Sequence, residues 1–321
     1  MIGPEEISDD LDIKKVIERG ELKEYILHIA KIPTGSVVNL HVYIYRGKKN
    51  GPVLLVSGGL HGDEVNGIEI VRRMMKAEML QPVAGTVIAI PVLNIYGFLN
   101  FNRELPDGKD ANRSFPGTRN GSLASRVAFN VSKKILPLID YGIDFHTGGG
   151  NRSNYPQIRC EFSDEKSLML AKGFAPSFIV NSTAIPNSLR NEAKEMGKTV
   201  IVFEGGQSLR FDEPVIDEAV NGTQRLMVSL GMIPDNESIK KAPESIILEK
   251  TTWIRAENAG LFHHHSENGD YLKVNDFIGT ITDPFNRYEL PVISHVEGYI
   301  IGMNYSPVIH AGDALVHIGQ K

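Results

Sequence analysis

Two histidines and two glutamates in this 321-residue chain stand where hydrolytic chemistry would need them. His61 and Glu64 lie in Ser57-Gly58-Gly59-Leu60-His61-Gly62-Asp63-Glu64, directly after the apolar run 53–56 and before an amphipathic stripe that begins at Val65. An imidazole and a carboxylate three residues apart at a strand-to-helix turn are candidate metal ligands, because ligands of open α/β sheets gather at the carboxyl ends of strands. His146, in Ile143-Asp144-Phe145-His146-Thr147-Gly148, ends another buried run and is the third candidate. Two His and one Glu leave the fourth tetrahedral position to water, the pattern of a catalytic zinc site. This donor set favours zinc over calcium or magnesium, while cobalt, nickel or iron would also fit. Asp144, two residues earlier on the same strand face, either supports His146 or shapes the pocket. Glu204, in Val202-Phe203-Glu204-Gly205-Gly206, also ends an apolar run. A carboxylate there can accept a proton from water and return it to a leaving amine.

The stretch 94–120, rich in Gly, Pro, Asn and Asp, supplies the polar partners. A loop of that length inside a compact domain is uncommon and often functional. It carries Arg103 and Asp110-Ala111-Asn112-Arg113-Ser114-Phe115-Pro116-Gly117. An arginine fork suits a carboxylate, Asn112 adds a directed hydrogen bond, and Arg103 is placed to polarise a carbonyl and hold an oxyanion.

The elements that must position these groups follow from periodicity. Residues 22–32 and 37–45 alternate as two antiparallel strands around Pro33-Thr34-Gly35, and 48–51 is a polar turn. Runs at 53–56, 86–92, 141–145 and 199–203 read as buried strands; 65–79, 122–135 and 212–229 read as helices. Alternation of this kind predicts an α/β fold with a mixed, mostly parallel sheet flanked by helices. From about residue 245 the texture changes to short strands with turns such as Asn268-Gly269-Asp270 and Ala311-Gly312-Asp313, which predicts a smaller all-β barrel or sandwich. The polar stretch 235–243 therefore divides a domain over 1–240 from one over 245–321.

Composition narrows the function classes. A formal net charge of −5 argues against a nucleic-acid surface. Arg72-Arg73 is expected on a solvated helix face. The single cysteine, Cys160, forbids an intramolecular disulfide and fits a reducing compartment. The acidic residues 1–12 do not resemble a signal peptide, and no apolar stretch is long enough to span a membrane, so a cytoplasmic protein with no membrane partner is expected.

With these motifs in order, the chain resembles the succinylglutamate desuccinylase/aspartoacylase family of the zinc carboxypeptidase-like superfamily. The resemblance rests on His61-Gly62-Asp63-Glu64, Asp110 through Gly117, Asp144-Phe145-His146-Thr147-Gly148 and Glu204-Gly205-Gly206, and spans roughly residues 20–320. It implies one zinc ion per chain held by His61, Glu64 and His146, Glu204 as the general base, Asn112 and Arg113 as the anchor of a substrate carboxylate, and Arg103 as the group that polarises the carbonyl. The implied reaction is hydrolysis of the amide bond of a small N-acyl amino acid or acylated amine. Carboxypeptidase relatives also use a tyrosine, for which Tyr288 and Tyr305 are candidates. A homo-oligomer is compatible with the β-domain. A metallocarboxypeptidase acting on short peptides would use the same atoms, and a non-catalytic binding protein on this scaffold is a third reading.

Other features carry less. One of His263, His264 and His265 is a candidate pocket contact, although adjacent strand residues alternate faces. Cys160 reads as a small buried residue. Gly148-Gly149-Gly150 lacks the Gly-Lys-Ser/Thr of a phosphate loop. Trp253 is expected in interdomain packing.

Overall fold

The computed structural model describes residues 5–6, 17–31 and 35–321; Ile32, Pro33 and Thr34 of the expected first hairpin, and most of residues 1–12, lie outside the described residues. The first strands are β1 (Glu5–Glu6), β2 (Leu22–Lys31), β3 (Val37–Arg46) and β4 (Lys49–Gly58). Helix α1 (Val65–Lys76), β5 (Ala84–Ile90), α2 (Ile95–Leu99), α3 (Leu123–Asn130), β6 (Tyr141–Gly148) and β7 (Arg152–Cys160) follow, then α4 (Glu165–Phe174), β8 (Phe178–Asn181), α5 (Leu189–Glu195), β9 (Thr199–Gln207) and α6 (Glu213–Ser229). The C-terminal part holds β10 (Ile246–Leu248), β11 (Lys250–Arg255), β12 (Gly260–His264), β13 (Tyr271–Leu272), β14 (Phe277–Thr282), β15 (Glu289–Ile293), β16 (Gly298–Asn304), β17 (Val308–Ile309) and β18 (Ala314–Gln320).

Successive residues of a strand face opposite ways, and here both faces are covered. Leu54 and Val56 of β4 pack with Ile70 and Met74 of α1, Phe174 of α4 and Ile216 of α6, while Leu55 packs with Val127 of α3 and Leu189 of α5. This is the apolar run of a doubly covered sheet. The sheet is mixed: β4 pairs parallel with β5 on one side and with β6 on the other, β6 pairs parallel with β9, and β7 runs antiparallel to β9. The chain leaves β4 toward β5 and returns on the other side as β6, so a topological switch point lies between β4 and β6, where such folds bind ligands.

The C-terminal strands divide between two layers. β16, β18 and β11 extend the large sheet through the antiparallel pair β7–β16, while β15, β14, β12 and β17 form a separate four-stranded sheet. Phe262, Ile278, Ile300, Met303, Val316 and Ile318 fill the space between the layers, a sandwich with its own core. Hydrogen bonding is thus continuous across the polar stretch 235–243: β10 also pairs with β8.

Several local expectations are corrected. Helix α1 stops at Lys76 rather than 79, because Glu78 takes a left-handed φ of 56°. Strand β4 begins at Lys49, inside the expected turn 48–51, where it pairs with Ala84. The expected helix 122–135 passes from α3 into a π turn at Val131–Ile135 before Pro137. The 94–120 stretch is not wholly irregular: it holds α2 and a single 3-10 turn at Ala111–Arg113, too short for periodicity to show. Arg72 and Arg73 do lie on a partly exposed helix face, and Arg73 is also ion-paired there. It joins Glu69 on its own helix to Glu213 of α6, at 2.7 Å each.

Candidate active site

The turn after β4 is held close to β6 by glycine. A Cβ at Gly67 would stand 2.5 Å from the carbonyl oxygen of Phe145, so the start of α1 packs directly on the strand that carries His146. Glu64 occupies the cap position of α1 but gives its side chain to the site instead of to the helix. Its Oε1 lies 2.7 Å from His61 Nδ1 and its Oε2 2.9 Å from His146 Nδ1, and Oε2 also accepts from the Thr147 backbone N–H at 3.0 Å. The two Nδ1 atoms are 3.2 Å apart. His146 Nε2 meets Asp144 Oδ2 at 2.7 Å, and Asp144 Oδ1 accepts from Ser57 Oγ at 2.8 Å. Asp144 therefore supports the ring of His146.

This trio fits a divalent ion. One ligand atom from each of His61, Glu64 and His146 lies within 4.8 Å of the others, and all three residues are buried. Donors about 2.0–2.1 Å from a tetrahedral ion stand roughly 3.4 Å apart, close to the separation of the two imidazole nitrogens. With Nε2 engaged by Asp144, Nδ1 of His146 is the nitrogen free to coordinate, the arrangement in which an outer carboxylate orients a ligand histidine. The electrostatics also favour a cation. Burial pushes His61 and His146 down, but the charge of Glu64 on both rings, with Asp110 at His61 and Asp144 at His146, outweighs it and holds both above the ordinary histidine value. Burial pushes Glu64 up, yet the two rings hold it well below the usual carboxylate range.

Arg103 stands beside the trio. Asn94 caps α2 through Gly97 N at 2.8 Å and donates from Nδ2 to the Arg103 carbonyl at 3.2 Å, which ties the loop to the end of β5. The guanidinium grips Asp110 from Nε and Nη2 at 3.1 and 2.9 Å, and its Nη1 reaches His61 Nδ1 at 3.2 Å and Glu64 Oε1 at 3.4 Å. Asp110, to which sequence motifs alone assign no separate role, also lies 3.3 Å from His61 Nε2. Despite its burial it is held well below the usual carboxylate range by His61 and Arg103.

A cavity of about 230 Å³ opens over these groups. Glu204 lies on its wall on β9, paired in register with His146 of β6. Its Oε2 accepts from Asn154 Nδ2 at 2.7 Å and its Oε1 faces Arg159 Nη1 at 3.4 Å. Asn112 and Arg113 also line the cavity, Asn112 with its Oδ1 committed to the Leu189 N–H at the start of α5, at 2.9 Å. The structure thus brings His61, Glu64, His146, Arg103, Asn112, Arg113 and Glu204 to one cavity.

It does not bring the other sequence candidates there. Among the described residues no tyrosine lines the cavity: the Tyr288 hydroxyl donates to the Ala259 carbonyl, and Tyr305 meets His264 edge-on at 4.8 Å. His263 contacts Thr282, and His265 meets the Phe277 ring. Cys160 is fully buried, and burial pushes its thiol up to about 12.

Among the lining residues that sequence reasoning misses are Arg152, Asn154, Arg159 and Arg190. Strict alternation puts Asn154 and Arg159 on opposite faces, but a register shift between Asn154 and Gln157 brings both to Glu204. Arg190 follows the capping Ser188, a helix-start signal in the unassigned stretch before β9. Trp253 also lines the cavity, with its ring stacked on His317 at 4.3 Å and the guanidinium of Arg152 of β7 over it at 5.9 Å.

Residues 50–230, more than half of the chain, match the family model described as the succinylglutamate desuccinylase/aspartoacylase catalytic domain. The chain is 26% identical over 300 residues to the N-alpha-acetyl-L-2,4-diaminobutyric acid deacetylase of Halomonas elongata, covering 89% of this chain and 86% of that one. In fold it is similar to the product-bound ectoine utilization protein EutE (DoeB) from Ruegeria pomeroyi, with a TM-score of 0.84 at 21% identity over 97% of this chain and 98% of that one. It is equally similar to a succinylglutamate desuccinylase/aspartoacylase from Rhodobacter sphaeroides, with a TM-score of 0.85 at 20% identity over 98% and 99% of the two chains. The chain belongs to the succinylglutamate desuccinylase/aspartoacylase family, a family of deacylases.

Proposed function

We propose that this protein is a zinc-dependent hydrolase that cleaves the amide bond of a small N-acyl amino acid, or of a similar acylated amine bearing a carboxylate. The observation that carries the reading is the convergence of a buried His–Glu–His trio, a second carboxylate and several arginines on one small cavity. The Halomonas elongata relative, named for deacetylating an acetylated diamino acid, supports an N-acetylated amino acid as the substrate type.

His61, Glu64 and His146 would hold the ion, and Asp144 and Thr147 fix the orientation of those ligands. A zinc ion held by three protein groups lowers the pKa of water and attracts negative charge developing on a carbonyl oxygen. Glu204 takes a proton from the attacking water. The water oxygen bonds to the acyl carbon, Arg103 donates toward the oxygen that gains charge, and Glu204 returns the proton to nitrogen as the C–N bond breaks. The products are a carboxylic acid and a free amine. Arg113 and the amide nitrogen of Asn112 anchor the substrate carboxylate. A cavity of about 230 Å³ suits a compact substrate group.

A panel of acetyl, succinyl and formyl amino acids, assayed beside short peptides with zinc-loaded protein, tests the reading. Release of free amine from acyl amino acids is expected. Release only of C-terminal residues from peptides would replace the deacylase with a carboxypeptidase, and inertness toward both groups would leave a binding protein.

A further inference from the structure

We propose that Asn154 is the positioning residue of Glu204, and that strand β16 of the C-terminal layer sets it in place. The proposal rests on the reading of Glu204 as the general base. Asn154 donates from Nδ2 to Glu204 Oε2 at 2.7 Å, the shortest contact that carboxylate makes, and is itself 8% exposed. A carboxylate at a strand end can rotate about its terminal torsion, which is broad. A fixed donor on one oxygen stops that rotation and leaves Oε1 to receive the proton. An amide suits this role because it donates to the ionised base and cannot itself take the proton. Arg159, 3.4 Å from Oε1, supplies charge at a looser contact.

The backbone around Asn154 is shaped for this side chain. Its cross-strand partners are both glycines, Gly206 of β9 on one side and Gly302 of β16 on the other. A Cβ built on Gly302 would stand 2.8 Å from Asn154 Oδ1, so a side chain at 302 would push the Asn154 amide from its present position. The neighbouring bonds draw the C-terminal layer onto the same segment: Gln157 Nε2 donates to the Ile301 carbonyl at 2.7 Å, Asn268 Nδ2 to the Ser153 carbonyl at 3.1 Å, and the Tyr305 N–H to the Asn151 carbonyl at 2.9 Å. The register shift after Asn154 then turns Arg159 toward the same base. The C-terminal layer is therefore part of the catalytic apparatus through β7, without touching the ligand trio.

Steady-state kinetics on the fastest substrate of the acyl amino acid panel, with zinc content measured on each sample, tests this. Asn154→Ala and the isosteric Asn154→Asp are expected to lower kcat by about 10- to 100-fold, the range of one hydrogen bond to a charged group. KM should stay within about threefold, and zinc content should not change. Gly302→Ala, which alters only the strand behind Asn154, is expected to reproduce the kcat loss. In a Glu204→Gln background, adding Asn154→Ala should cause no further loss, the mark of two residues acting as one unit. Full kcat in Asn154→Ala and Asn154→Asp beside an inactive Glu204→Gln would overturn the role of Asn154 alone. Full kcat in Glu204→Gln would remove the base, and the role of Asn154 with it. Loss of zinc or of the folding transition in step with kcat would make Asn154 a structural residue and overturn the proposal.

Discussion

The two walls of the cavity are built on different principles. The wall at the ends of β4 and β6 is closed: His61, Glu64 and His146 are each at most 4% exposed, and every ligand side chain is held by another group. The opposite wall is open and cationic, with Arg113 and Arg152 at the rim, the more buried Arg190 bonded to backbone carbonyls of β7 and of the loop after β8, and Trp253 contributed by the C-terminal layer. A reacting centre must hold its atoms to within a fraction of an ångström, and a buried setting with its side chains tied to neighbouring groups does so. A wall that recognises a substrate needs charge and shape. It can change its side chains without disturbing the centre. On the proposed function, the reaction belongs to the first wall and the choice of substrate to the second.

The largest expected effect falls where the walls meet. Glu204→Gln should lower kcat by about 10²- to 10⁴-fold, the range of a lost general base, while bound zinc stays constant; metal analysis of the assayed sample checks it. Next is the support of the closed wall. Asp144→Asn should weaken metal affinity about 10- to 100-fold by loosening the ring of His146, measured by competition with a chelator. An unchanged affinity would show that the trio is held without its outer carboxylate. A smaller and different effect is expected across the cavity. Arg113→Ala should raise KM about tenfold for a substrate with a free carboxylate and little for its amide, with kcat nearly kept. A fall in kcat alone would place Arg113 with the reacting groups and erase the contrast between the walls.

The smallest effect concerns stability. His317, buried against Trp253, is pushed down to about 3 by burial, with the charge of Arg159 adding to it. The ordinary value is about 6.5, so between these values the unfolded chain binds a proton that the folded chain refuses. The stability held above about 6.5 is therefore lost as pH falls toward 3. His317→Phe should flatten this part of the pH dependence, checked by thermal melts at pH 7 and pH 5. An unaltered slope would show that His317 does not contribute to it.

The same contrast explains what the sequence reveals. His61, Glu64, His146 and Glu204 end apolar runs, so the local pattern places each at the carboxyl end of a strand, and the sheet order then brings three parallel strands to one rim. Residues 94–120 stand out by composition and do carry Arg103, Asn112 and Arg113 to the cavity. The second wall follows no such pattern. β7 faces the cavity with polar side chains, so it lacks an apolar run, and its register shift reverses the alternation that would separate Asn154 from Arg159. Trp253 sits about fifty residues beyond Glu204 and reaches the cavity only because β16 joins β7, a long-range pairing that no local spacing encodes.

The central claim is that the closed wall works through a bound ion on an acyl amino acid. Its most direct test is amine release from an N-acetyl amino acid by chelator-treated protein, before and after zinc is returned. Hydrolysis should vanish with the metal and return with about one equivalent per chain. Hydrolysis that persists in metal-free protein, with zinc confirmed absent, would contradict the account.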